Sequence, residues 1–198
     1  MAASFPQTRI GAMDDIPGVL ALQETYLYDR MNEEGRRRGF VTTPFTGEQV
    51  GEVIRQNGLF VATDVGGTIV AYAFAASWGY FQQWAIFGHM ISRFSELSFR
   101  GQAITTENSF QYGPVCINLP FRGTGLLNRL FEEMRLVLVQ RYPISITFIN
   151  QVNKVSEQAH VRKLGWEVID RFGFNGKEYL GLAFDMGRSV LGRAHIGG

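Results

Sequence analysis

The sequence holds a single cysteine, Cys116, in 198 residues. No disulfide can form within the chain, which fits a reducing, cytoplasmic setting. Lysine is almost as scarce. Lys154, Lys163 and Lys177 are the only ones among 19 basic residues, and the rest are arginine. Arginine suits bidentate contacts to anions, although a compositional bias of the genome explains the skew more simply. An excess of charge is also missing, because the formal net charge is only +1. That leaves no electrostatic case for a nucleic-acid partner or an anionic membrane. Long apolar runs are absent. The longest, Ile69 to Ala76, falls far short of the roughly 20 residues of a membrane-spanning helix. The opening residues, Met1 to Pro6, carry no basic segment followed by an apolar run, so no secretory signal is expected. There is no internal repeat, low-complexity tract or interdomain linker. With 45% hydrophobic residues, the chain reads as one globular domain with a core from about residue 8 to 186 and a loose tail over 187–198. No metal is expected.

What is present centres on Cys116-Ile117-Asn118-Leu119-Pro120-Phe121-Arg122-Gly123-Thr124-Gly125-Leu126-Leu127. It reads as strand, tight turn and helix. Leu126, Leu127, Leu130, Phe131, Met134, Val137 and Leu138 repeat at helical spacing, with Asn128, Arg129, Glu132, Glu133 and Arg135 between them. The N–H groups at such a helix start have no partner inside the helix and lie at the positive end of its dipole, so they suit a phosphate. Glycine lets the backbone approach that anion closely.

The rest of the chain follows in order. Residues 8–13 read as a strand. A helix runs from Asp14 or Asp15 to about Tyr28, and a polar, glycine-punctuated stretch covers Asp29 to Phe45. A second helix starts at Thr46 and stops at Asn57-Gly58. Strands over 59–63 and 68–76 flank a turn at Asp64-Val65-Gly66-Gly67. The aromatic-rich segment 77–107 shows one short helix near Ala85 to Phe94. Residues 109–118 read as a strand broken at Gly113-Pro114, a place for a bulge. After the helix to about Arg141 come a strand over 144–150, a helix over 153–164, and strands over 166–172 and 178–186 joined through Asn175-Gly176. This is a mixed α/β chain with one β-α-β crossover around the glycine turn.

That order, together with the turn, resembles the GNAT superfamily of N-acetyltransferases over about Thr8 to Met186. The family's pyrophosphate loop, Gln/Arg-x-x-Gly-x-Gly/Ala, maps onto Arg122-Gly123-Thr124-Gly125-Leu126-Leu127, where Arg122 and Gly125 match and Leu127 replaces a small residue. Lys163-Leu164-Gly165-Trp166-Glu167 resembles the family's Lys-Leu-Gly-Phe-Glu. The resemblance implies a mostly antiparallel central sheet with helices on both faces and a splayed central strand pair. It implies acetyl-CoA as co-substrate, held by the backbone of Val115, Cys116 and Ile117, by the loop Arg122 to Leu127, and by Asn153 and Ser156 on the last helix. Asn153 could equally cap that helix. A primary amine of a small molecule or peptide would attack the thioester directly, with a base, an acid and an oxyanion-stabilising N–H group.

The resemblance also exposes a departure. The tyrosine that often serves as acid falls at Val161, leaving neighbouring His160, a water or unassisted loss of the thiolate. Glu107 and Tyr112, on or near the splayed strand, are candidates for the base and the substrate pocket. Cys116 reads as a small core residue rather than a nucleophile. The run Arg36–Arg38 reads as a solvated loop. The aromatics from Trp78 to Phe99 suit core packing, an acceptor pocket or a homodimer interface. Two functions remain open: an acyl-CoA-dependent N-acetyltransferase, or a non-catalytic acyl-CoA-binding sensor or scaffold.

Overall fold

The central strands are near-continuous apolar runs, as expected of strands covered on both faces. In a computed structural model that describes residues 5–191, β1 (Gln7–Ile10) is followed by α1 (Ile16–Tyr26), α2 (Glu33–Arg37) and α3 (Gly47–Arg55). Next come β2 (Leu59–Thr63), β3 (Ile69–Ala76), α4 (Trp78–Phe81), α5 (Ala85–Arg93), and the two-residue strands β4 (Ser98–Phe99) and β5 (Gln102–Ala103). The chain continues through β6 (Ser109–Ile117), α6 (Leu126–Leu138), β7 (Ile144–Asn150) and α7 (Lys154–Gln158). A π-helical turn (Ala159–Leu164) leads to β8 (Glu167–Phe174) and β9 (Lys177–Asp185). Seven strands form one sheet in the order β1-β2-β3-β6-β7-β9-β8. Only β6 and β7, joined through α6, run parallel within it.

Both faces of the sheet are covered. Leu59, Val61, Tyr72 and Phe74 point to one side and pack with Val19 of α1, Val50 of α3, and Phe81 and Phe87 of α4 and α5. Phe60, Ala62, Ala71 and Ala73 alternate to the other side and meet Leu130, Phe131 and Met134 of α6. Such alternation buries both sets of side chains without leaving an apolar face to water.

Several elements differ from the sequence reading. The polar stretch 29–45 contains α2, because the Asn32 side chain caps it by accepting from Gly35 N at 2.8 Å. The segment 77–107 contains α4 and the β4–β5 hairpin as well as the expected helix. The helix expected over 153–164 is α-helical only to Gln158 and π-helical beyond. The expected loose tail is docked over its described part. Glu132 of α6 accepts from Ser189 Oγ at 2.8 Å and from Val190 N at 3.1 Å. Residues 192–198 of that expected tail lie outside the described residues.

The site is positioned by a fault in the sheet. β6 and β7 pair only from Ser109↔Ile144 to Gln111↔Ile146. On its other side, β6 pairs with β3 through Ala75↔Tyr112 and then Ala73↔Val115, so Gly113 and Pro114 bulge opposite Phe74. Gly113 has φ 111°, a region that glycine alone enters without strain. Beyond the bulge β6 and β7 part, and β6 keeps only its β3 partner from Val115 to Ile117.

Candidate active site

The gap between the parted strands opens into two connected cavities. The outer cleft is about 540 Å³. Its walls are the end of β6, the loop before α6, and α7 with its π-helical continuation. Val115, Cys116, Ile117, Arg122, Gly123, Gly125, Leu127, Asn153, Ser156 and His160 all line it. The inner chamber, about 90 Å³, lies between β6 and β7 and is lined by Gln111, Tyr112, Thr147 and Phe148 among others, with exposed Thr42 at its rim. Asn153, Ser156 and His160 border both cavities.

The glycine loop forms one end of the cleft. Gly123 and Gly125 have φ of 80° and 91°. A Cβ at either would meet nothing within 4 Å, so the positive φ and the open approach, not crowding, demand glycine there. None of the N–H groups from Gly123 to Leu127 has a hydrogen-bond partner among the described residues. They lie at the start of α6, a ready cradle for an anion. Leu126 is buried beneath the loop in the core and Thr124 Oγ1 donates to Phe121 O at 2.7 Å, so these two contribute backbone rather than side chains. Arg122 lines the cleft, but its Nε donates to Ile117 O at 2.7 Å and its Nη1 to Arg38 O. Its guanidinium also lies 4.6 Å from the centre of the Tyr26 ring. The arginine expected to hold phosphate therefore also clasps neighbouring backbone.

That clasp belongs to a strap over residues 38–43, a feature the sequence reading missed. Val41 N donates to Tyr26 O at 2.8 Å, and Tyr28 N to Val41 O at 2.9 Å. Gln23 holds Phe45 at the strap's end from both sides, through Nε2 to Phe45 O at 3.0 Å and from Phe45 N to Oε1 at 2.9 Å. Asn153 Nδ2 reaches Phe40 O at 3.2 Å while Oδ1 accepts from Ser156 N at 3.3 Å. Asn153 is thus a cap, and it also ties the strap to α7. Tyr26 is another member the sequence reading missed. Its hydroxyl donates to Asn118 Oδ1 and accepts from Leu119 N, both at 2.8 Å. No local signal marks Tyr26, because its partners lie more than ninety residues away.

His160 sits where the cleft meets the chamber, and it is buried. Its Nδ1 lies 2.8 Å from Ser156 O. A carbonyl oxygen only accepts, so Nδ1 carries the proton and Nε2 keeps its lone pair. Burial pushes the imidazole down to about 4, against the smaller opposing pull of the Ser156 carbonyl. A neutral ring at physiological pH has the form of a base rather than of the acid envisaged from sequence. Val161, by contrast, packs against the core on the α6 side.

Tyr112 packs beside His160 with ring centroids 5.6 Å apart, and its buried hydroxyl has no partner. Burial drives the phenol well up from its ordinary value, so it stays protonated. Cys116 is buried and its thiol is pushed up to about 12, which removes the thiolate that a nucleophile needs. Glu107 is not brought to the site. It is exposed, lines neither cavity, and accepts from Thr106 Oγ1 at 2.6 Å. Among the described residues there is no cluster of three His, Cys, Asp or Glu side chains fit for a metal. No described helix is long and apolar enough to cross a membrane.

No sequence-family model matches the chain, and no curated protein matches it in sequence. Solved structures do match in shape. The GNAT superfamily phosphinothricin acetyltransferase Pat from Sinorhizobium meliloti, in complex with AcCoA, is similar at TM-score 0.60 and 14% identity. That match covers 92% of this chain and 89% of Pat. The GNAT family N-acetyltransferase YhbS from Escherichia coli, in complex with CoA, is similar at TM-score 0.57 and 16% identity, over 97% of this chain and 87% of YhbS. The ribosomal-protein-S18-alanine N-acetyltransferase from Escherichia coli gives TM-score 0.57 at 10% identity, over 92% and 94%. At such identities the likeness is one of fold, and the fold of this chain is that of the GNAT acetyltransferases.

Proposed function

We propose that the chain is an acetyl-CoA-dependent N-acetyltransferase acting on a primary amine. The observation that carries this reading is one continuous path: an unpaired N–H cradle at Gly123–Leu127, an unpaired β6 edge at Val115–Ile117, and a neutral buried His160 where the cleft meets the chamber. These residues fit coenzyme A in chemistry as well as shape. The cradle suits a diphosphate, the free strand edge suits the amide groups of a pantetheine arm, and two glycines leave room for close approach. When bound, acetyl-CoA supplies an activated acyl thioester.

The chain's own groups then have distinct tasks. The loop and Asn153 hold and orient, and the strap over residues 38–43 limits water at the junction. His160 Nε2 accepts the amine proton. Tyr112, protonated and without a partner, offers a hydrogen bond rather than a base. Isothermal calorimetry with acetyl-CoA, followed by free-thiol release with a panel of amines, tests the reading. Micromolar binding with amine-dependent release is expected. Absence of binding at high micromolar concentration refutes the reading, and tight binding without release from any amine leaves the sensor or scaffold in its place.

A further inference from the structure

Charge is distributed unevenly along the path. The outer cleft carries Arg122 and Lys163. The inner chamber is lined by no Asp, Glu, Lys or Arg at all. Its walls include Phe40, Phe45, Phe87, Phe148 and Tyr179. Phe148 stands edge-on to both Phe87 and Tyr179, with centroids 5.3 and 5.5 Å away.

Uncharged polar groups also line it, Thr42, Thr43, Thr147, Asn150 and Asn153 among them, and one polar side chain there, Gln111, holds an unpaired acceptor. Gln111 is buried, and its Nε2 donates to Tyr112 O at 2.7 Å. The carbonyl partner fixes which end of the amide is nitrogen, so Oε1 is the end left over. It is buried and has no partner. A buried acceptor without a donor is costly, and here a ligand N–H would satisfy it. Thr147 cannot, because its hydroxyl donates to Tyr112 O at 2.7 Å.

We infer that the inner chamber takes an aryl primary amine, a flat acceptor whose nitrogen is uncharged at neutral pH, with Gln111 Oε1 receiving one of its N–H bonds. The inference rests on the acetyltransferase reading above. An alkylammonium would shed its hydration into a chamber without a carboxylate, and aromatic faces offset only part of that loss. An amino acid would bring a carboxylate with no basic side chain to meet it. A polyamine would need several acids. The size limits the occupant to one small flat ring, since a cavity of roughly 150 Å³ binds benzene and this one is smaller, at about 90 Å³. A neutral His160 suits an acceptor that arrives without a surplus proton. The step balances: the amine nitrogen bonds to the acyl carbon, the C–S bond breaks, and the N–H proton passes through His160 Nε2 to the departing thiolate.

The test compares aniline with benzylamine, one neutral and one cationic, as acceptors for the full chain with acetyl-CoA at neutral pH. Thiol release is read above the rate without protein, and acetyl-CoA binding is followed separately by calorimetry. We expect kcat/KM at least tenfold higher for aniline. Equal or better use of benzylamine overturns the inference, as does acetyl-CoA binding with no release from either amine; absence of acetyl-CoA binding instead removes the reading beneath it. In Gln111→Met, acetyl-CoA affinity should be unchanged while KM for aniline rises about tenfold. An unchanged KM overturns the role of Gln111. If that variant does not fold, the wild-type comparison of the two amines decides.

Discussion

A buried neutral histidine leaves a signature in stability that does not depend on any substrate. The His160 ring packs edge-on against the stacked pair Tyr112 and Trp166, at centroid distances of 5.6 and 5.8 Å. Burial holds it at about 4 in the fold, whereas the unfolded chain protonates near 6.5. Between those values the unfolded state binds more protons, so the contribution is complete above 6.5 and is lost as pH falls toward 4. From pH 7 to about pH 4.5 the loss is about 2 kcal/mol. Carboxylates titrate over part of the same window, so the wild type alone is not decisive. His160→Gln removes the one group and keeps the others. Urea unfolding of both proteins across this range should show the wild-type advantage over the variant shrinking by about 2 kcal/mol, about 1 M in midpoint at a typical urea slope. Parallel curves would falsify the claim that His160 is neutral and desolvated, and with it the assignment of Nε2 as a base.

Three further outcomes follow from the geometry. Gly125→Glu should abolish acetyl-CoA binding in calorimetry. Its φ of 91° costs a side chain about 1–2 kcal/mol, yet nothing lies within 4 Å of the added Cβ, so the variant should still unfold cooperatively; retained affinity would show the loop is not the phosphate site. Gly58→Ala should destabilise the fold by about 3 kcal/mol or more in urea titration, since its Cβ would sit 1.8 Å from the backbone oxygen of Ala75. An ordinary surface-like change below about 0.5 kcal/mol would contradict that packing. Asn153→Ala should cost about 1–2 kcal/mol as the cap is lost and should also weaken acetyl-CoA binding several-fold, because the same side chain holds Phe40 O. Stability loss with unaltered affinity would detach the strap from binding.

How far the sequence could be read depended on how locally each element is determined. The hairpin at Asp64–Gly67 closes through Gly67 N to Asp64 O at 3.0 Å, and α6 shows its apolar stripe in thirteen consecutive residues. The bulge at Gly113-Pro114 follows from a glycine and a proline where a strand needs neither. These features announce themselves within a few residues. The strap does not. Its path is set by Gln23 and Tyr26 of α1, Arg122 and Asn153, contributed by three separate parts of the chain. The same is true of the inner chamber, whose Gln111 and Thr147 lie on strands that meet only through the crossover. The Glu107 expectation failed for a related reason: nearness to β6 in sequence placed it at the outer end of the strand, away from the gap.

The contrast between Val161 and His160 is the sharpest instance. Counting back from Gly165 as the family resemblance prescribes lands on Val161, a side chain that can neither give nor take a proton. That count assumes α-helical spacing to the glycine. Residues Ala159–Leu164 instead form a π-helical turn, which widens the hydrogen-bond step to i→i+5 and accommodates one extra residue in the turn. The turn ends at Gly165 with φ 75°, and Trp166 N donates to His160 O at 3.0 Å. The faces are displaced accordingly: Val161 turns onto the core beside α6, and His160 turns to the cleft. Helix propensity does not separate an α turn from a π turn, so no count of spacing alone would have found it. The two neighbouring side chains thus end on different sides of the turn, a separation set by the π-helical backbone.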